Sequence, residues 1–220
     1  RFRYTTYGSF PKDFSYAIDS DAVRGYNHLE YIEQPDRYII TTAKLVLHIE
    51  KANMRKTMYD VEGNLINQDE IGFHWEYSYE HGSDIVKMSK QEQKLECYYG
   101  LGDKPTHFNL KGKRLENWVT DEYAFGKDRD PLYKAIPFYI GLHNGLSYGI
   151  FFDNPFRTFF DFGHERRNVT SLGFDDRQRR QRTGLAGDLA AGVLLDVVGV
   201  HTRGTLQQTG GEIEHAARIG

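Results

Sequence analysis

The segment Trp118-Val119-Thr120-Asp121-Glu122-Tyr123 places an aspartate between two aromatic residues. An ionised carboxylate accepts hydrogen bonds from two hydroxyl groups, and such charge-assisted bonds are about twice as strong as neutral ones. Trp118 could pack over the face of a ligand or anchor the loop to the rest of the fold. An aspartate in a loop more often caps a turn, so the residue types alone leave both interpretations of Asp121 open.

Other groups able to do chemistry show no spacing typical of a site. Asp128 and Asp130 are separated by Arg129 and followed by Pro131, which favours a turn over a calcium site. The nine histidines lack ligand spacing, and the single Cys97 excludes a disulfide framework and a thiolate zinc site. No pair of carboxylates has a spacing that identifies a general acid and base. We therefore predict no metal, and no cofactor.

The elements that must position these residues have a period of two between residues 38 and 162. Apolar or aromatic residues alternate with other residues in four runs, beginning at Leu45, Phe73, Ile136 and Phe156. Turn clusters separate the runs, and Asn144-Gly145 favours a tight hairpin because both residues tolerate positive φ. No amphipathic helix of useful length precedes residue 170. The pattern predicts an all-β fold, an antiparallel β-sandwich.

One stretch within this pattern, from Leu101 to Leu132, is long, polar and without periodicity. Connections of that length inside a compact β domain are usually functional or disordered. Trp118 and Tyr123 are expected to anchor it, which argues against disorder.

Composition limits the classes of partner. A formal net charge of -3 gives no field that attracts nucleic acid or an anionic membrane. No apolar run approaches the roughly 18 residues that a membrane helix needs. We expect a soluble chain with no nucleic-acid and no membrane partner. The arginines from Arg166 to Arg182 form a basic cluster, and the overall charge argues against a nucleic-acid contact there.

The last part of the chain differs in composition. From Ser171 onward there are six arginines but no lysine or tyrosine, with many glycines and alanines. We predict one domain over residues 1–171 and an Arg/Gly/Ala-rich tail over residues 172–220, either disordered or translated out of frame. A change from AT-rich to GC-rich codons is what a frameshift produces. Reading the coding DNA in the other two frames tests this hypothesis.

Several motifs in order resemble glycoside hydrolase family 31. Residues 98–104 resemble the family's YGLGE turn, residues 114–123 its WNTD loop, and residues 148–154 its GIFFDN strand. Residues 130–139 follow the loop at the family's spacing, and residues 13–18 look like the N-terminal segment of bacterial members. The resemblance covers about residues 1–171. It departs at Val119, where the family has asparagine.

This resemblance implies a galactose mutarotase-like β-sandwich that precedes a catalytic (β/α)8 barrel. It implies an α-glucosidase whose nucleophile and acid/base lie on the barrel, so that this chain carries no catalytic residue and is a fragment. The sandwich would supply a loop on which Asp121, Trp118 and Thr120 bind an α-linked glucoside or oligosaccharide. The partner within the parent protein would be the barrel.

An alternative remains open, in which the sandwich is a stand-alone carbohydrate-binding or mutarotase-like protein. A mutarotase needs a histidine and a glutamate that face each other across a concave sheet. His48, His74 and Glu76 are the candidates, although nothing in their spacing selects them.

Overall fold

Strands form wherever β-branched and aromatic residues alternate with polar ones. The computed structural model describes residues 2–4, 15, 17–18, 29–79, 83–175 and 191–193. All regular structure in these residues is β-strand, and none of them forms a helix that is long and apolar enough to cross a membrane. The predicted antiparallel all-β fold is confirmed.

The strands are β1 (Phe2–Tyr4), β2 (Glu30–Glu33), β3 (Arg37–Thr41), β4 (Leu45–Glu50), β5 (Lys56–Asp60), β6 (Leu65–Ser78), β7 (Ser83–Gln91), β8 (Cys97–Gly102), β9 (Arg114–Asn117), β10 (Ala135–His143), β11 (Leu146–Phe151), β12 (Thr158–Phe162), β13 (Val169–Asp175) and β14 (Ala191–Val193). Nine of them form a sheet in the order β2-β3-β4-β5-β6-β7-β13-β12-β9. A second sheet has the order β11-β10-β8, and β1 pairs with β14. All pairings are antiparallel.

The core lies between the nine-stranded and three-stranded sheets. Tyr139 of β10 has its ring centroid 6.0 Å from that of Phe160 and 5.2 Å from that of Phe162, both on β12. Tyr98 of β8 stacks on Phe162 at 4.7 Å. These fully buried rings fill the space between the sheets, which makes the arrangement a β-sandwich.

The β10–β11 hairpin confirms the predicted tight turn and shows which face of β10 is covered. Asn144 and Gly145 have φ values of 49° and 77°, as the predicted tight turn requires. The core-facing residues of β10 are Tyr139, Gly141 and His143, whereas Ile140 and Leu142 face outward. The apolar residues of the predicted alternation therefore lie on the uncovered face of this strand.

A buried ionic cluster joins β5, β6 and β7. The Asp69 carboxylate lies 2.8 Å from Lys56 Nζ and 2.7 Å from Lys90 Nζ, and Lys90 Nζ also donates to Asn67 Oδ1 at 2.5 Å. All four residues are buried. Burial alone would raise the pKa of Asp69, but the charges of Lys90 and Lys56 hold it below its ordinary value.

Strand β13 spans the predicted boundary at residue 171. Leu172 and Phe174 lie in the core, where they face Met88 and Val86 of β7. Of the predicted tail, only residues 172–175 and 191–193 fall within the described residues. The origin of the tail stays a prediction.

Candidate functional site

The candidate site lies on the connection between β8 and β10, which was predicted as one irregular stretch. The structure places strand β9 inside it, paired with β12 at the edge of the nine-stranded sheet. The connection is thus tied to the sandwich midway along its length. The four residues of β9 include a single apolar side chain, Leu115, so the sequence shows no alternation that would predict this strand.

Asp130 joins the two ends of the loop that follows β9. Its carboxylate accepts a hydrogen bond from Lys104 Nζ at 2.5 Å and from the Glu116 backbone N–H at 2.5 Å. Lys104 Nζ also donates to the Glu116 carbonyl at 2.5 Å. Because Lys104 is almost fully buried, these charge-assisted bonds hold the base of the loop in a fixed position.

Asp128 makes a second connection at the base. It accepts hydrogen bonds from the Thr106 hydroxyl and from Lys113 Nζ, the latter at 2.9 Å. The bonds from Thr106 and Lys113 lower the pKa of Asp128. The predicted turn around Asp128 and Asp130 agrees with these contacts, and the described part of the chain contains no cluster of metal ligands.

Trp118, the first residue after β9, is fixed through its ring. The guanidinium of Arg157 lies 5.1 Å from the ring centroid, in cation–π geometry, and Arg157 Nε lies 3.1 Å from Glu116 Oε1. The anchoring expected of Trp118 is therefore present. Its ring also lines a pocket, described below.

Thr120 and Asp121 differ in their surroundings. Thr120 is half-buried, and its backbone N–H donates to the Leu132 carbonyl at 2.9 Å. Asp121 is exposed, and its carboxylate has no hydrogen-bond or ion-pair partner among the described residues. The carboxylate is thus available to hydroxyl groups from outside the chain.

The tip of the loop is held by contacts other than the one expected at Tyr123. Tyr123 is 97% exposed and anchors nothing, which corrects the sequence-based expectation. Instead, Tyr133 donates a hydrogen bond to the Glu122 carbonyl and packs edge-on against Phe125 at 5.9 Å. Glu122 also pairs with Arg129 at 2.9 Å. Tyr133 and Arg129, which lie toward the C-terminal end of the loop, therefore hold Glu122 at its tip in position.

A pocket of about 490 Å³ lies beside the loop, and we call it the Asn117 pocket. Trp118 and Val119 line it, whereas Thr120 and Asp121 do not. Its floor contains Asn117 and Thr158, whose polar side-chain atoms are buried and have no hydrogen-bond partner among the residues that the structure describes. Leaving such groups unpaired costs about 1–3 kcal/mol each. Sequence reasoning missed both residues, because only the β9–β12 pairing brings them together.

The candidate histidines and glutamate of the mutarotase alternative do not face each other. His74 and Glu76 lie on the same strand, with His74 Nε2 3.3 Å from Glu76 Oε2, and Glu76 also pairs with Lys87 at 3.0 Å. His48, on β4, packs against Tyr59 with ring centroids 5.3 Å apart. This arrangement is that of surface ion pairs and cross-strand packing.

Comparison with known proteins gives a consistent result. Residues 1–161 match the family described as the glycosyl hydrolase 31 N-terminal galactose mutarotase-like domain. The chain is 32% identical over 132 residues to alpha-glucosidase 2 of Bacillus thermoamyloliquefaciens, covering 59% of this chain and 16% of that protein. It is 33% identical over 86 residues to an alpha-glucosidase of Saccharolobus solfataricus, covering 39% and 12%.

Among solved structures, the family 31 dextranase of Flavobacterium johnsoniae, complexed with isomaltotriose, superimposes with a TM-score of 0.68 at 28% identity. That match covers 78% of this chain and 20% of the dextranase chain. The chain therefore spans about a fifth or less of the length of these relatives.

Proposed function

The chain belongs to the N-terminal galactose mutarotase-like domain family of glycoside hydrolase family 31, and from this premise we propose that it is the accessory domain of a retaining α-glucosidase-type enzyme. In this role it supplies the loop with Asp121 to the active site of a (β/α)8 barrel in the parent protein. The substrate proposed is an α-linked glucoside or oligosaccharide.

The observation that supports this role is the state of Asp121. Its carboxylate is exposed and unpaired among the described residues, yet the loop that carries it is held at its base by Asp130 and Lys104. A carboxylate presented on a fixed loop can accept sugar hydroxyls with little loss of conformational entropy on binding. A capping aspartate would instead be hydrogen-bonded to its own backbone.

Thr120 and Trp118 have supporting parts in the proposal. The Thr120 N–H bond to Leu132 fixes the backbone beside Asp121 and so orients the carboxylate. Trp118, held under Arg157, keeps the start of the loop against the sandwich. Both side chains then border the bound sugar.

The chemistry of bond cleavage belongs to the rest of the parent protein in this proposal. A retaining glycosidase needs two carboxyl groups roughly 5–5.5 Å apart, one as nucleophile and one as acid/base. The resemblance assigns both to the barrel, so the 220-residue chain alone should not hydrolyse p-nitrophenyl α-glucoside. Hydrolysis by the purified chain would contradict the proposal.

In the full-length enzyme, Asp121→Ala tests the loop directly. A hydrogen bond to a charged group contributes about 1.5–3 kcal/mol, so kcat/KM should fall about 10- to 200-fold. An unchanged kcat/KM would remove Asp121 from the site. The mutarotase alternative predicts that the chain alone accelerates α-glucose mutarotation, measured by polarimetry, and the pairing of His74 with Glu76 argues against it.

A further inference from the structure

The floor of the Asn117 pocket is built from two facing strands. Asn117 of β9 and Thr158 of β12 are opposite one another in the antiparallel register. Both are on the core-facing side of their strands, next to the buried Leu115 and Phe160. They are 4% and 1% exposed, and Asn117 Nδ2, Asn117 Oδ1 and Thr158 Oγ1 have no hydrogen-bond partner in the part of the chain that the structure describes.

These three atoms set the requirements for a ligand. Buried polar side-chain atoms in folded proteins nearly always have a partner, and exceptions call for an explanation such as a missing ligand. The carboxamide offers both a donor and an acceptor, and the hydroxyl offers both as well. A single peptide group would pair with the carboxamide and leave Thr158 Oγ1 unpaired. Two adjacent hydroxyl groups, each a donor and an acceptor, can pair all three atoms.

The charge and the walls of the pocket restrict the class of ligand further. Among the described residues that line the pocket, Asp153 is the one ionisable side chain, and its Oδ1 accepts a hydrogen bond from Ser15 Oγ at 2.9 Å. With one carboxylate and no cation, the lining disfavours anions. The walls are mostly apolar and include Trp118, Phe151 and Phe156, which suit the C–H faces of a saturated ring. The volume of about 490 Å³ lies in the usual range for small-ligand sites.

We propose that the Asn117 pocket binds a neutral pyranose with its ring against the aromatic wall. The polar atoms of Asn117 and Thr158 are covered in the structure, so binding turns these two side chains toward two adjacent ring hydroxyls. Asp121 does not line this pocket, whereas Trp118 belongs to both the loop and the pocket wall, so the inference concerns a second sugar position beside the one proposed for Asp121. A domain of this kind would hold a sugar by itself, without any residue from another domain.

Fluorescence of the 220-residue chain tests the proposal. The chain has two tryptophans, so Trp75→Phe leaves Trp118, in the pocket wall, as the sole reporter. Methyl α-D-glucopyranoside should change the Trp118 emission saturably, with a dissociation constant on the order of millimolar. The absence of a saturable change up to about 100 mM would overturn the proposal.

Two apolar substitutions of similar shape provide the matched variants. Asn117→Leu and Thr158→Val, each in the Trp75→Phe background, should raise the dissociation constant at least about tenfold. Each should also keep or raise the melting temperature, because an unpaired buried polar group is removed. This second readout separates lost binding from lost folding. Unchanged affinity in both variants would overturn the proposal.

Two further titrations test whether a change outside the pocket affects binding and whether the pocket prefers a sugar to a peptide. Asp103→Asn, on the same connection but outside the pocket lining, should leave the dissociation constant for the methyl glucoside unchanged, whereas binding lost in that variant would overturn the pocket proposal. N-acetyl-leucine amide, a mimic of an inserted chain segment, should bind more weakly than the glucoside. Tighter binding of the amide would show that the pocket receives polypeptide and would equally overturn the proposal.

Discussion

Replacing Asp69 with asparagine should destabilise the fold more than any other single charge-neutralising change in the described residues. Asp69 is fully buried and is the shared counter-ion of Lys56 and Lys90, whose side chains are each 3% exposed. Asparagine keeps the shape but removes the negative charge, so that two buried ammonium groups lose their shared counter-ion and Lys90 keeps its hydrogen bond to the neutral Asn67. Removing one partner of a buried ion pair costs about 3–5 kcal/mol. That loss is a large fraction of the roughly 5–15 kcal/mol that stabilises a typical domain.

Urea denaturation followed by tyrosine and tryptophan fluorescence measures this loss as a lower midpoint at an unchanged slope. Lys90→Met is the matched control, because Asp69 then keeps Lys56 as its counter-ion and the methionine fills most of the lysine volume. It should lose less than half as much stability as Asp69→Asn. The reasoning is refuted if Asp69→Asn loses less than about 1 kcal/mol or if Lys90→Met is the more damaging of the two.

The same cluster predicts how stability depends on pH. The charges of Lys90 and Lys56 outweigh burial and lower the pKa of Asp69 in the folded state. A lowered folded-state pKa contributes stability above the unfolded pKa, and that contribution is lost as the pH falls through the folded pKa. The free energy of unfolding should therefore decline below about pH 4. The decline should be shallower in Lys90→Met, where one of the two lowering charges is absent.

Three further changes test how the loop and the sheets are held. Asp130→Asn should lower the free energy of unfolding by about 2 kcal/mol, because Lys104 loses its buried counter-ion; an unaltered urea midpoint would contradict the role given to this residue. Gly141→Ala should lower the melting temperature, since a Cβ there would come within 2.3 Å of the Tyr148 ring, and a wild-type melting curve would argue against that packing. Leu142, 41% exposed on the bare face of β10, should promote self-association; Leu142→Glu should shift sedimentation toward monomer, and a chain that is already monomeric at high concentration would disprove this.

Sequence reasoning succeeded where a local rule decides the structure. The alternation of Leu45, Leu47 and Ile49 predicts a half-buried strand, and Leu47 and Ile49 do lie in the core. Asn144-Gly145 predicts a tight hairpin, because few other residue pairs adopt two consecutive positive φ values. Neither conclusion needs knowledge of the rest of the chain.

Sequence reasoning failed where the structure depends on which strands pair or pack together. Period-two alternation identifies two faces of β10 but not which one is covered, and both faces carry large apolar side chains. The sheet arrangement buries Tyr139 and leaves Ile140 outside. In the same way, Asn117 and Thr158 are 41 positions apart in the sequence and become neighbours only through strand pairing. No spacing rule could have found that pocket.

Asp121 illustrates both what the sequence predicts and what only the structure shows. Its chemistry and its place in a motif were readable from the sequence, whereas its exposure and the fixed base beneath it required the structure. Tyr123 was expected to anchor the loop because it is aromatic, but Tyr133 and Phe125 make that contact. Tyr133 lies near the C-terminal end of the loop, and Phe125 follows Tyr123 by two residues.

The most direct test of the proposed role is kcat/KM of the full-length parent enzyme for p-nitrophenyl α-glucoside, compared between Asp121→Asn and Asp103→Asn. Both replacements are isosteric. Asp103 is a carboxylate on the same β8–β10 connection, and within the described residues its carboxylate has one distant ion-pair partner, Lys134, at 4.0 Å. We predict a fall of about 10- to 200-fold for Asp121→Asn and less than about twofold for Asp103→Asn. Equal values for the two variants would contradict the assignment of Asp121 to the sugar.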